Sequence, residues 1–211
     1  MILPQIDNFN PNKIPIEGTK NMSEERTHRT VRSFVRREGR LTPGQERALD
    51  ELWPLYGIDE AEGLIDLDSL FERTAPIVFE IGFGNGSSLA EMAAKQPDTN
   101  FIGVEVHRPG VGHLLKLIEE QELTNLRVAC TDAVELLKHR IADNSLDRLQ
   151  LYFPDPWHKK RHHKRRIIQA AFVTLLSQKI KPGGHLHMAT DWQHYAEQML
   201  DDLSQNNDFK N

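Results

Sequence analysis

The 211-residue chain is 38 % hydrophobic and 27 % charged, which supplies one core and excludes wholesale disorder and fibrous architecture. Its longest apolar runs, Ile77 to Phe79 and Ala170 to Val173, fall far short of the roughly 20 residues a membrane span needs. No apolar h-region opens the chain and Cys130 is its one cysteine, so an intramolecular disulfide and a cysteine-rich zinc cluster are excluded, and a cytoplasmic address with no membrane partner is expected.

The net charge of −5 is unevenly spread. Six arginines (26, 29, 32, 36, 37, 40) and one acid give +5 between Arg26 and Arg40. Six bases and no acid give +6 between His158 and Arg166, so the remainder carries −16. An acidic body with two concentrated basic stretches suits a selective polyanion binder, because Lys and Arg clusters release counterions from phosphates. A solvated charged loop is the alternative for either run alone; together they favour nucleic acid.

In chain order, residues 1–25 read as a disordered polar tail, and 26–40 as a flexible Arg-rich arm with no sustained apolar face. A helix is predicted to start near Thr42, where Thr42 and Gln45 form a capping box and Pro43 occupies the first helical position. Ala48, Leu49, Leu52, Trp53 and Tyr56 continue its apolar stripe. Residues 57–74 read as an acidic connection, which closes an N-terminal region of 1–74.

From residue 75 onward, short apolar runs at 77–81, 101–106, 126–130, 147–153 and 185–189 alternate with helical patterns near 87–96, 109–122, 132–140, 164–180 and 192–203. This alternation predicts right-handed βαβ units in an α/β, Rossmann-like, doubly wound and mostly parallel sheet, preceded by the basic arm and helix.

The first strand leads into Glu80-Ile81-Gly82-Phe83-Gly84-Asn85-Gly86-Ser87. Gly82, Gly84 and Gly86 allow a sharp turn and a close backbone approach to a ligand. Glu105 ends the second strand, where a carboxylate can accept both hydroxyls of a ribose, so an adenosine-bearing cofactor is expected. The dinucleotide signature is imperfect, with Ser87 at its third glycine position, and Glu80 would repel a pyrophosphate. S-adenosylmethionine carries a sulfonium and an ammonium and no phosphate, so these acids suit it better than NAD. Asp132 follows the third strand, placed to cap a helix and to reach the adenine side.

The fourth strand runs into Phe153-Pro154-Asp155-Pro156-Trp157. Two prolines restrict Asp155, Trp157 offers a stacking plate, and the basic run that follows can grip phosphates. His158, His162 and His163 match no common zinc spacing and lie among cations, so no metal is expected. Cys130 reads as a small buried core residue.

Glu80 to Gly84, Gly103-Val104-Glu105-Val106, Phe153 to Trp157, Lys164-Arg165-Arg166 and Ala189-Thr190-Asp191-Trp192, with the Leu41-Thr42…Gln45…Ala48-Leu49 stretch, resemble the bacterial tRNA (guanine-N7)-methyltransferase family. The resemblance spans about residues 29–205. It implies a class I methyltransferase that uses S-adenosylmethionine to methylate N7 of a variable-loop guanosine (m7G46) in tRNA. It also implies cofactor contacts from Glu80, Glu105, Asp132 and Asp155, with Asp155 as catalytic residue. Lys159 and Asp191 would contact substrate, and Arg161, Lys164, Arg165 and Arg166 would meet RNA. Members of the family continue with a C-terminal segment carrying a Thr-Lys-Phe-Glu-like motif, so this chain is expected to be short of it and weakly active. The alternatives are a noncatalytic S-adenosylmethionine- and RNA-binding protein and a methyltransferase for another RNA nitrogen. A monomer or weak dimer is expected.

Overall fold

The computed structural model describes residues 33–34 and 39–210. The expected disordered tail 1–25 and most of the Arg-rich arm lie outside the described residues. The capping box forms as the sequence predicts. Thr42 accepts from the Gln45 N–H, the Gln45 side chain accepts from the Thr42 N–H, and α1 runs Pro43–Glu51. A short α2 (Trp53–Tyr56) follows.

The acidic connection also holds a helix, α3 (Leu67–Phe71), which the sequence reading did not expect. Its acids act on the backbone: Asp66 accepts from the N–H groups of Asp68 and Ser69, which would otherwise lack partners.

Five strands follow, β1 (Ile77–Ile81), β2 (Asn100–Val104), β3 (Leu126–Ala129), β4 (Leu146–Tyr152) and β5 (Ile180–Ala189). They are joined by α4 (Ser87–Lys95), α5 (Arg108–Glu120), α6 (Ala133–Arg140) and α7 (Ala170–Lys179), and α8 (Gln193–Ser204) comes last. All pairings are parallel and the spatial order is β3-β2-β1-β4-β5, the doubly wound arrangement expected. The predicted helix over 164–180 is shorter than expected. A 3₁₀ turn, Lys160–Arg165, takes up the basic run, and α7 starts only at Ala170.

Strand alternation divides β1 between two cores. Ile77, Phe79 and Ile81 face one built with α6, α7 and α8. Val78 faces the other, where Leu89 and Ala90 of α4 and Val111, Leu114 and Leu115 of α5 pack with Ala48 and Leu52 of α1. Cys130 is half-buried at the margin of this second core rather than inside it.

Glu80 lies two residues beyond Val78 and so points into the second face. It is 4 % exposed, and burial pushes its carboxyl up to about 7. Its register partner on β4 is Gln150, 2 % exposed, whose amide donates to the Met92 sulfur. One oxygen of each side chain, Glu80 Oε2 and Gln150 Oε1, has no hydrogen-bond partner among the described residues.

A carboxyl that ionises later in the folded chain than in the unfolded one keeps its proton on folding between the two values, so stability falls as pH rises through that window. Glu80→Gln removes the ionisation. The amount by which its melting temperature exceeds that of the unaltered chain should be larger at pH 8 than at pH 5, measured by calorimetry. An equal difference at both pH values would show that Glu80 is not held neutral.

A candidate active site at the carboxyl ends of the strands

In a doubly wound sheet the loops beyond the strand ends converge where the order reverses, here between β1 and β4. The three glycines of the loop after β1 take φ of 72° at Gly82, 63° at Gly84 and 78° at Gly86, a region that favours glycine. The loop is fixed from β2. Glu105 accepts from the N–H of Gly84 at 3.1 Å, of Val106 at 2.7 Å and of His107 at 3.0 Å. At the start of α5, a Cβ on Gly110 would stand 2.0 Å from the Gly84 carbonyl oxygen, so only glycine lets helix and loop meet.

Asp132 caps α6 through a 2.9 Å bond from the Val134 N–H and lines the same opening, so capping and site-building coincide in one residue. Beyond β4, Phe153 and Trp157 both have positive φ, 50° and 44°. These two left-handed residues bracket Pro154-Asp155-Pro156 and hold Asp155 at the mouth.

Two adjoining cavities result. The first, about 230 Å³, is lined by Gly82, Glu105, Asp132 and Asp155 with Ile81, Val104, Leu151 and neighbouring residues. It has three acids and no basic side chain among the described residues. The second, about 740 Å³, is lined by His107, Trp157, His158, Lys159 and His162 together with Glu105 and Asp155. Phe34, Glu105, Val106 and Asp155 belong to both and form their common wall.

The structure therefore brings Gly82, Glu105, Asp132, Asp155 and Lys159 of the expected set together. Gly84 and Gly86 shape the loop without lining either cavity, and Glu80 is buried behind the loop. Arg161 and Lys164 are exposed on the 3₁₀ turn, and Asp191 is exposed after β5 outside both cavities.

Two expectations need correction. Trp157 is not a vacant stacking plate. Its Nε1 donates to the Ser33 carbonyl at 3.1 Å, the Arg165 guanidinium lies 4.9 Å from its ring, and His162 meets its edge. Arg166 does not face phosphates, because it is 2 % exposed and its donors go to Pro156, His194 and Gln198. Sequence reasoning also missed Phe34, inside an arm with no apolar periodicity, and Gly110, whose signal was the Pro-Gly pair at the start of α5.

Comparison with known proteins agrees with this geometry. Residues 74–211 match the model of a putative methyltransferase family. A tRNA (guanine-N(7)-)-methyltransferase of Alcanivorax borkumensis is 60 % identical over 186 residues, covering 88 % of this chain and 78 % of that protein. One from Aeromonas hydrophila subsp. hydrophila is 61 % identical over 183 residues, covering 87 % of this chain and 77 % of that one. Among solved structures, an antibiotic-related methyltransferase shares the fold, with a TM-score of 0.51 at 17 % identity over 70 % of this chain and 74 % of the other. With the parallel sheet, the glycine loop and the acids at the strand ends in place, identity of this extent shows that the chain belongs to the tRNA (guanine-N(7)-)-methyltransferase family.

Proposed function

We propose that the protein transfers a methyl group from S-adenosylmethionine to N7 of the variable-loop guanosine 46 of tRNA. The observation that carries this reading is the junction of an acidic cavity with a second one bordered by Lys159 and the start of the basic 3₁₀ turn, across the wall formed by Phe34, Glu105, Val106 and Asp155. The acidic cavity fits a cationic, phosphate-free cofactor, since Glu105, Asp132 and Asp155 would each repel a pyrophosphate. The cavity beside Lys159 fits the approach of a polyanion.

Glu105, Asp132 and Asp155 would hold the cofactor, with Gly82 giving it backbone access and Gly84 and Gly86 shaping the loop. When bound, S-adenosylmethionine supplies an electrophilic methyl group on its sulfonium. Guanine N7 offers a lone pair that needs no deprotonation, so alignment is the protein's main task. Asp155, on the wall between the cavities, accepts from the N1–H and N2 edge of guanine and stabilises the ring as it becomes cationic. Lys159 contacts the substrate from the second cavity and Asp191 from the end of β5. Arg161, Lys164 and Arg165 meet the RNA backbone.

The deciding experiment is methyl transfer from labelled S-adenosylmethionine to tRNA lacking the modification, followed by mapping of the product. Label at N7 of guanosine 46 is expected, and label on another nitrogen would overturn the assignment.

Three variants separate the roles. Glu105→Ala should weaken cofactor binding by about 1.5–3 kcal/mol, the worth of hydrogen bonds to a charged group, measured by calorimetric titration. Asp155→Ala should lower kcat by roughly 10²–10³ while the melting temperature holds, with Asp155→Asn falling between. Because N7 carries no proton, the rate of the unaltered enzyme should be flat from about pH 7 to 9. Replacing Lys159, Arg161, Lys164 and Arg165 together by Ala should reduce the slope of log K for tRNA against log salt by up to about 0.9 per lost phosphate contact. Cofactor affinity should change little. An unaltered slope would place the RNA surface elsewhere.

A further inference from the structure

Arg166 closes the most basic run of the sequence and yet is almost wholly enclosed, at 2 % exposure. Its guanidinium joins two segments, the loop at Pro156 and α8. Nε donates to the Pro156 carbonyl at 2.8 Å, and Nη1 meets His194 Nδ1 at 3.1 Å and Gln198 Oε1 at 2.6 Å, both on α8. The guanidinium carbon lies 4.7 Å from the ring centroid of Tyr195, which is itself fully buried on α8.

No carboxylate pairs with this cation among the described residues, and Nη2 has no hydrogen-bond partner there. A buried guanidinium held only by neutral acceptors and a ring face is costly, and an apolar side chain of similar volume would fill the space more cheaply. Stability alone is a poor reason for an arginine here.

The loop it holds gives a better one. Pro154 and Pro156 lack N–H groups, so the segment around Asp155 has few ways to anchor its backbone. Phe153 is tied to β5 by its N–H to the Ala189 carbonyl at 2.8 Å. On the other side of Asp155, the Arg166 bond to the Pro156 carbonyl is the tie, and Trp157 follows with a left-handed backbone that must be held in place.

We propose that Arg166 is a positioning residue for methyl transfer, whose guanidinium clamps the Pro156 carbonyl to α8 and so fixes the Asp155 carboxylate against the guanine. The proposal rests on the role given to Asp155 above. It sets Arg166 apart from the rest of the basic run: Arg161 and Lys164 serve the RNA, Arg165 lies against the Trp157 ring as well, and Arg166 serves the loop alone. Arg166 would be replaceable by no residue lacking the geometry of the planar fork, lysine included, since one ammonium cannot reach the loop carbonyl and both α8 acceptors in the same directions.

A double-mutant cycle with Arg166→Lys and Asp155→Ala on unmodified tRNA tests this. Arg166→Lys keeps the charge and should lower kcat by roughly tenfold to a hundredfold, the scale of a small misplacement of a reacting group. The KM for tRNA and its salt dependence should be unchanged. In the Asp155→Ala background the same substitution should cost less than about twofold more, because its target is already gone. Should Arg166→Lys melt below the assay temperature, Gln198→Ala carries the same cycle, since it removes one α8 acceptor and leaves the guanidinium in place. Full additivity of the two losses would overturn the clamp and leave Arg166 a general structural residue. A raised KM with a shallower salt slope would overturn it in favour of a phosphate contact. A normal kcat in Asp155→Ala alone would instead overturn the reading of Asp155.

Discussion

The site depends on one carboxylate. Glu105 collects N–H groups from Gly84 on one side and from Val106 and His107 on the other, so the loop after β1 and the start of α5 are held to the same two oxygens. Three of the roughly four lone-pair positions of a carboxylate are thereby used within the chain. The missing Cβ of Gly110 then lets α5 approach the Gly84 carbonyl, and the loop behind the smaller cavity is fixed from two directions. Charge, turn and helix packing here meet in one arrangement.

The uneven charge of the sequence becomes a spatial division. Acids at the ends of β2 and β3 and in the loop after β4 surround the smaller cavity, while Lys159 and three histidines stand around the larger one. Asp155 lies on their common wall. In the proposed reaction a sulfonium would lie on the acidic side and the RNA on the side of Lys159, and positive charge would pass from sulfur to purine beside Asp155. Glu80, also close to the loop, is of another kind: burial pushes its carboxyl up to about 7, and it packs in the interior beside Gln150.

How much of this was legible in the sequence differs by feature, and the difference is physical. The five strands, the capping box of Thr42 and Gln45, and the glycine loop were legible because each depends on neighbours within a few residues. Glu105 and Asp132 were legible because a strand end determines where the next side chain goes. Helix α3 was not, since its Asp66 cap lies in a run of acids that reads equally well as solvated connection. The basic run failed at one residue for a related reason. Arg161, Lys164, Arg165 and Arg166 are alike in sequence, and only the packing of α8 through Tyr195, His194 and Gln198 makes the last of them interior. Phe34 could not be found at all, because its place on the cavity wall is set by a bond from Trp157 to Ser33 across 124 positions of chain.

The chemistry explains why so much structure is devoted to one short loop. A nucleophile that needs no base leaves the enzyme with position and electrostatics as its means, and both depend on how still the participating groups are held. Phe153 and Trp157 are kept in left-handed backbone conformations, each at a cost on the order of 1–3 kcal/mol, and Phe153 remains 66 % exposed. Such conformations persist only where surrounding contacts over-determine them. Here those contacts are the Phe153 bond to β5, the Arg166 bond to Pro156, the Arg165 guanidinium over the Trp157 ring and the Trp157 bond to Ser33. They come from three segments, β5, the consecutive residues Arg165 and Arg166, and Ser33, so the position of Asp155 is tied to β5, to the 3₁₀ turn with α8 behind it, and to Ser33. Under the proposed roles, an RNA that engages Arg165 would act on the same loop that presents Asp155, and substrate binding and alignment would share one set of contacts.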